Sequence, residues 1–171
     1  MSSISNSHNG FPEDSFSPAG AFLLRPMVQE IVQRITTECA EKKGRRSPLV
    51  LIDVERGHTI NADTGAVRRI LDLLIREAVD ASIDSTESGS TPSLREVVIT
   101  SVRTDRSVEI EIADSGERHS ENVGLPTTAA ESLVGRLGGN MRVYCCPEGG
   151  TAVTFSLPRQ REASGDLRRA A

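Results

Sequence analysis

Residues 61–84, NADTGAVRRILDLLIREAVDASID, restrict the possible folds of this chain more than any other segment. Apolar side chains recur there mostly three or four positions apart, and this spacing predicts a helix with a single buried face. The apolar positions are Val67, Ile70, Leu71, Leu74 and Ala78. Asp63 stands before them and is predicted to cap the first turn through its side chain. Such a helix has to be covered by a second layer of structure.

Periodic segments on both sides of this helix supply the second layer. Before the long helix, the patterns predict a helix over residues 22 to about 41 and a buried strand at 48–54. After it, they predict a hairpin of strands at 95–103 and 107–114 and a helix around 130–137 that ends at Gly138 and Gly139. A second hairpin follows at 140–146 and 151–157. With the long helix, the order is helix, strand, helix, two strands, helix, two strands. We therefore predict an α+β fold, a two-layer sandwich in which helices cover one face of a mixed, mostly antiparallel sheet.

The two ends of the chain differ from the middle in composition. Residues 1–20 are rich in Ser, Asn, Gly and Pro without hydrophobic periodicity, and the residues from Arg159 onward are similarly polar. This composition predicts a disordered leader at 1–20 and a disordered tail at 159–171. The predicted domain is 21–158, which is long enough to enclose one hydrophobic core.

Composition and charge disfavour several classes of function. Aromatic residues make up 3% of the chain, with no Trp and one Tyr, so base stacking on exposed aromatic rings is not expected. The formal net charge of −4 disfavours binding to a phosphate backbone. No apolar run is long enough to span a membrane, and the chain does not begin with a signal-peptide pattern. We expect a cytoplasmic protein that binds small molecules or proteins, with no nucleic acid and no membrane among its partners.

Four segments occur in an order and spacing that resemble one known family. The segments are INADTGAVRRILDLLIREAVDAS, VEIEIADSGE, VGLPTTAAESLVGRLGGNMRV and PEGGTAVTFSLP. Together they resemble the ATP-binding domain of sensor histidine kinases, whose fold (the Bergerat fold) is shared with gyrase-type and chaperone-type ATPases. They match the magnesium-binding helix, the strand that ends in Asp-x-Gly at the adenine, the second glycine box with its helix, and the final hairpin. The resemblance covers roughly residues 24–158.

The resemblance implies an adenine site at Asp114, Gly116 and Thr151. The Asp114 carboxylate would accept a hydrogen bond from the exocyclic amine, Gly116 would let the backbone approach the base, and Thr151 would support the aspartate. Two other interpretations remain open from the residues themselves: a carboxylate at a strand end often caps the following turn, and a threonine is a common strand residue.

The magnesium helix departs from the family pattern. In the kinase register Glu77 stands where the metal-binding Asn is expected, and Leu73 replaces an earlier Asn. In the gyrase-type register Glu77 would be the general base, and the metal position would be Ala81, which has no ligand atom. The carboxylate of Glu77 is a candidate magnesium ligand or catalytic base. The competing interpretation is an ordinary acidic flank of a helix.

The segment that would bind the phosphates departs further from the family pattern. The connection between the two glycine boxes is about six residues, and the second box is Gly124-Leu125-Pro126, in which Gly124 remains a candidate phosphate contact. Pro126 fixes φ and lacks an N–H, so the phosphate cradle loses a donor. Thr127 and Thr128 are candidates to cap the next helix or contact an anion. Arg118 and His119 could bind phosphate through charged side chains, or they could be ordinary polar residues of a surface loop.

The histidines of this sequence do not stand in the context of a phosphoacceptor. A kinase of the resembled family passes phosphate to a histidine on a separate helical domain, and His8, His58 and His119 all lack that helical context. We therefore expect a stand-alone domain for two-component-type signalling, with weak or lost binding of ATP and Mg²⁺. Its partner would be a response regulator, a phosphoacceptor or a sigma-type regulatory protein on another chain. The alternative is a non-enzymatic regulatory or docking module with the same fold.

Overall fold

The computed structural model describes residues 20–43, 47–84, 95–116, 125–147 and 149–159. Within these residues the elements are β1 (Gly20–Leu23), α1 (Leu24–Lys43), β2 (Leu49–Asp53), β3 (Thr59–Ala62), α2 (Thr64–Asp84), β4 (Glu96–Arg103), β5 (Ser107–Asp114), α3 (Leu125–Arg136), β6 (Asn140–Cys145) and β7 (Thr151–Pro158). Most of the predicted leader at 1–20 and tail at 159–171 lies outside the described residues.

The main sheet has five strands in the order β2-β4-β5-β7-β6. Strand β2 runs parallel to β4, and every other neighbouring pair in this sheet is antiparallel. Strands β1 and β3 pair antiparallel in a separate two-stranded sheet. The prediction of a mixed, mostly antiparallel sheet is therefore confirmed.

One face of the sheet packs against the helices. Alternate strand side chains such as Ile99, Ile110 and Phe155 are fully buried and share a single hydrophobic cluster with Ile35 of α1 and Ile75 of α2. The side chains between them point to the opposite, outer face and are more exposed, as β alternation requires. This arrangement confirms the two-layer α+β sandwich, with an aliphatic core.

The predicted first helix was wrong at its start. Phe22 and Leu23 belong to β1, where they pair with Ile60 and Thr59 of β3, and α1 begins only at Leu24. Strand β3 itself was not predicted. Both strands have only four residues, too few to show a periodic pattern. They are stabilised by pairing with each other, although they are far apart along the chain.

The predicted ends of two helices are confirmed. The Asp63 Oδ1 atom accepts a hydrogen bond of 2.9 Å from the Ala66 amide, which caps α2. Gly138 has a φ of +74°, and the backbone bonds around it close the end of α3. None of the helices in the described residues is long and apolar enough to cross a lipid bilayer.

Ion pairs connect the exposed faces of α1 and α2. The residues alternate in charge along both helices, so that each cation meets an anion: Arg68 with Glu30 at 2.6 Å, Arg34 with Asp72 at 2.5 Å, and Arg76 with Glu38 at 3.0 Å. Exposed pairs of this kind contribute little stability individually, but they favour one register of α1 along α2.

Candidate functional site

The end of β5 and the start of β7 bring two predicted site residues together. Asp114 is the last residue of β5, Thr151 is the first residue of β7, and the two are direct partners in the antiparallel register. Both side chains are buried, with 8% of Asp114 and 1% of Thr151 exposed. A carboxylate and a hydroxyl therefore lie side by side at one end of the sheet.

Gly116 joins this pair through a tight turn. Its amide donates a hydrogen bond of 2.9 Å to Oδ1 of Asp114, so the carboxylate does cap the turn that follows β5. A Cβ atom at Gly116 would lie 2.6 Å from the backbone carbonyl carbon and oxygen of Ala81 in α2. Glycine is thus required for α2 to approach the end of β5 this closely.

Thr151 carries a hydroxyl whose bonding is incomplete. Its Oγ1 atom is fully buried and has no hydrogen-bond partner among the residues that the structure describes. An unpaired buried hydroxyl costs about 1–3 kcal/mol, so native structures rarely keep one without a water or ligand. This hydroxyl lies beside the Asp114 carboxylate, so a hydrogen-bond donor without a described partner and a buried acceptor share one end of the sheet.

Glu77 lies on α2 one turn before Ala81 and is held by the neighbouring helix. The hydroxyl of Thr127 donates a hydrogen bond of 2.6 Å to Oε2 of Glu77. Thr127 is fully buried in the first turn of α3. Sequence reasoning named both residues but missed their contact, because it depends on α2 and α3 packing side by side. Thr127 therefore ties two helices together.

A cavity of about 510 Å³ opens beside this contact. Its lining consists of Pro126 from α3 and seven residues from α2: Arg69, Asp72, Leu73, Arg76, Glu77, Asp80 and Ala81. Three of these carry carboxylates and two carry guanidinium groups, so the lining has a small excess of negative charge. Asp114, Gly116 and Thr151 do not line this cavity, but Ala81 connects it to Gly116. Sequence reasoning missed the two arginines, although a polar stripe at helical spacing was visible.

The donor set does not fit magnesium by itself. Within the described residues, no group of three or more His, Cys, Asp or Glu side chains is placed to hold a metal ion. Leu73 lines the cavity without a ligand atom, and Glu77 already accepts the hydrogen bond from Thr127. Magnesium is commonly held by one or two carboxylates together with waters and substrate phosphates, so Glu77 and Asp80 would leave most of its six positions to water or phosphate.

The remaining predicted positions divide into two groups. Gly124, Arg118 and His119 lie outside the described residues. His58 is 4% exposed, with its Nδ1 atom 2.7 Å from Oγ of Ser101 and its Nε2 atom 2.8 Å from a carboxylate oxygen of Glu55. One ring nitrogen thus contacts Glu55 within the turn between β2 and β3, and the other contacts Ser101 of β4, which fits a structural role.

Comparisons with known proteins identify the fold. No family model matches the sequence, and no curated protein matches it significantly. Solved structures do match: the catalytic domain of histidine kinase ThkA in a nucleotide-free form has a TM-score of 0.67 and 15% identity, over 84% of this chain and 99% of that one. The histidine kinase AdeS from Acinetobacter baumannii has a TM-score of 0.64 and 14% identity, over 84% of this chain and 69% of that one. At this identity the likeness concerns the fold, and the chain has the α+β fold of histidine kinase catalytic domains.

Proposed function

We propose that this protein is a two-component-type signalling domain that binds ATP weakly, through an adenine end formed by Asp114, Gly116 and Thr151, with phosphoryl transfer impaired or lost. It acts with a response regulator, a phosphoacceptor or a sigma-type regulatory protein on another chain. One observation carries the proposal: the buried Thr151 hydroxyl, which has no partner within the described residues, lies directly opposite the buried carboxylate of Asp114. The fold supports it, because solved domains with this fold belong to histidine kinases.

The side chains at the adenine end can hydrogen-bond to the edge of an adenine base. In this proposal Asp114 accepts a hydrogen bond from the exocyclic amine, because the two oxygens of a carboxylate offer about four acceptor positions and can serve several donors at once. The Thr151 hydroxyl completes its bonding to the base or to a bridging water. Gly116 keeps the backbone close to α2 at this end.

The phosphate end limits the affinity. Pro126 has no N–H to offer, and the carboxylates of Glu77 and Asp80 line the cavity in which phosphates would lie. Each lost bond to a charged phosphate removes about 1.5–3 kcal/mol of binding free energy. Two such losses reach about 4 kcal/mol, which turns a micromolar site into a millimolar one.

Calorimetric titration with AMP and ATP, each with and without Mg²⁺, tests this proposal. If only the adenine end contributes, both nucleotides bind with similar, weak affinity, and Mg²⁺ changes it by less than about threefold. Asp114→Asn should then weaken both by about tenfold or more, since the amide presents a donor to the amine. Asp105→Asn, in the exposed β4–β5 turn, is the matched control. Micromolar, Mg²⁺-dependent ATP binding would refute the impaired phosphate end.

A second candidate function is a non-enzymatic regulatory or docking module. The hydrogen bond between Thr127 and Glu77 favours it, because that bond gives the carboxylate a structural role in joining α2 to α3. This candidate predicts no binding of AMP or ATP at millimolar concentration by a protein whose circular dichroism shows an intact fold. The same titration therefore distinguishes the two functions.

A further inference from the structure

The outer face of the main sheet carries an unusual number of exposed apolar side chains. Among the described residues, five large apolar side chains are exposed, and four of them lie on this face: Leu49 at 55%, Leu51 at 43%, Val102 at 60% and Tyr144 at 49%. An antiparallel sheet with one face in water normally presents polar residues there. Clustered exposed apolar residues mark interaction surfaces more often than single ones do.

The strand registers place one apolar row across all five strands. Leu51 pairs with Val98, Val98 with Ala113, Ala113 with Ala152, and Ala152 with Tyr144. All five side chains therefore point outward in a line perpendicular to the strands. No polar residue interrupts this row.

The row is shaped like a shallow trough. The two central positions are alanines, Ala113 and Ala152, whereas Leu51 and Tyr144 are large and stand at the two ends. With strands about 4.8 Å apart, the row is roughly 19 Å long. An α-helix of about 13 residues has this length and would place its apolar stripe along the trough.

Carboxylates flank the apolar row on one side. The next outward row contains Asp53, Thr100, Glu111, Thr154 and Arg142, and Glu109 lies one row further. The last strands enclose a groove of about 400 Å³, which is lined by Glu109, Glu111, Asn140, Arg142, Tyr144, Thr154 and Ser156. Hydrogen bonding to Tyr144, followed by the charges of Tyr144 and Glu109, raises the pKa of Arg142, the one cation among these outward residues. The flank is acidic overall.

We propose that this outer face, defined by the row from Leu51 to Tyr144 and its acidic flank, docks an amphipathic helix of another protein. The helix would carry large apolar side chains over Ala113 and Ala152, and Lys or Arg side chains over Glu111 and Glu109. A second copy of the same face fits poorly, because it would bring the same carboxylates against each other. The surface is on the opposite side of the sheet from Asp114 and the helices, so the proposal does not depend on nucleotide binding.

A designed peptide tests the chemistry of this surface. The probe is a 14-residue helical peptide of Leu and Lys with all Leu on one face, and its control has Glu in place of Lys. Tyr144 is the only tyrosine and the chain has no Trp, so protein fluorescence reports directly on this face. We expect saturable binding of the Lys peptide that weakens with salt, and binding of the Glu peptide at least about tenfold weaker.

Variants of the face define the expected losses. Ala113→Arg fills the centre of the trough and adds a repelling charge, and should weaken binding about tenfold or more. Leu51→Ser is the milder variant and keeps the test valid if Ala113→Arg does not fold. Leu23→Ser removes a leucine that is 48% exposed in β1, away from this face, and should leave the affinity unchanged.

Four binding and sedimentation results would overturn the proposal, and a truncation experiment supplies a fifth. They are equal binding of the Lys and Glu peptides, no binding of either peptide, an equal loss of affinity in Leu23→Ser, and a protein dimer in sedimentation that Ala113→Arg dissociates, which would make a second copy the occupant. Residues 160–171 contain Arg161, Arg168 and Arg169 and are a further possible occupant. If removing residues 160–171 increases quenching of Tyr144 by iodide, that segment covers the face and the proposal fails. Unchanged quenching supports a partner on another chain.

Discussion

Gly116→Ala should destabilise the protein through one identifiable contact. The added Cβ would lie 2.6 Å from backbone atoms of Ala81, whereas ordinary contacts begin near 3.4 Å, so α2 or the end of β5 must move by about 0.8 Å. Overpacking costs about 1–3 kcal/mol, and the upper end applies because the obstructing atoms are backbone and cannot rotate away. For a domain of this size, a loss of about 3 kcal/mol lowers the Tm by roughly 9 °C.

The same substitution elsewhere in the chain is the control. Gly135 lies in α3 and is exposed, and a Cβ added there would meet no atom within 4 Å beyond its own helix backbone, so Gly135→Ala only gains helix propensity. It should stabilise the protein by about 0.5–1 kcal/mol. Urea unfolding followed by far-UV circular dichroism measures both variants. If Gly116→Ala is as stable as the parent, the close approach of α2 to β5 is wrong, and so is the geometry assigned to the adenine end.

Three further predictions concern the helices. Thr127→Val removes the hydroxyl that donates to Glu77 and should lower the free energy of unfolding by about 1.5–3 kcal/mol in urea, whereas Thr127→Ser should lose less. Asp63→Ala removes the cap of α2 and should cost about 1 kcal/mol in the same assay. Hydrogen bonding to Arg68 lowers the pKa of Glu30. The contribution of this pair to the free energy of unfolding is therefore present above the ordinary Glu pKa and is lost as the pH falls through the lowered pKa. Glu30→Gln should remove this pH dependence, so the free energy of unfolding should fall less steeply in that part of an acid titration. An unchanged acid limb would mean that the pair does not contribute.

Local pattern alone was sufficient for the long elements. Helix α2, both hairpins and the cap at Asp63 were predicted from spacing and composition, because a periodic apolar face and a capping side chain are properties of neighbouring residues. The same spacing led to the two-layer sandwich. Strands β1 and β3 were missed because four residues carry no usable period, and the helical spacing of α1 extends backward through Phe22.

The sequence by itself determined which chemical groups are present and on which element each stands. It named Asp114, Gly116, Thr151 and Glu77 as candidates. Only the tertiary structure decided which of them meet. The sheet register places Thr151 opposite Asp114, and the packing of α2 against α3 allows Thr127 to donate a hydrogen bond to Glu77. The cross-strand row on the outer face is also invisible along the chain, because its members come from five strands. Contacts between distant residues depend on register and packing, which no local pattern contains.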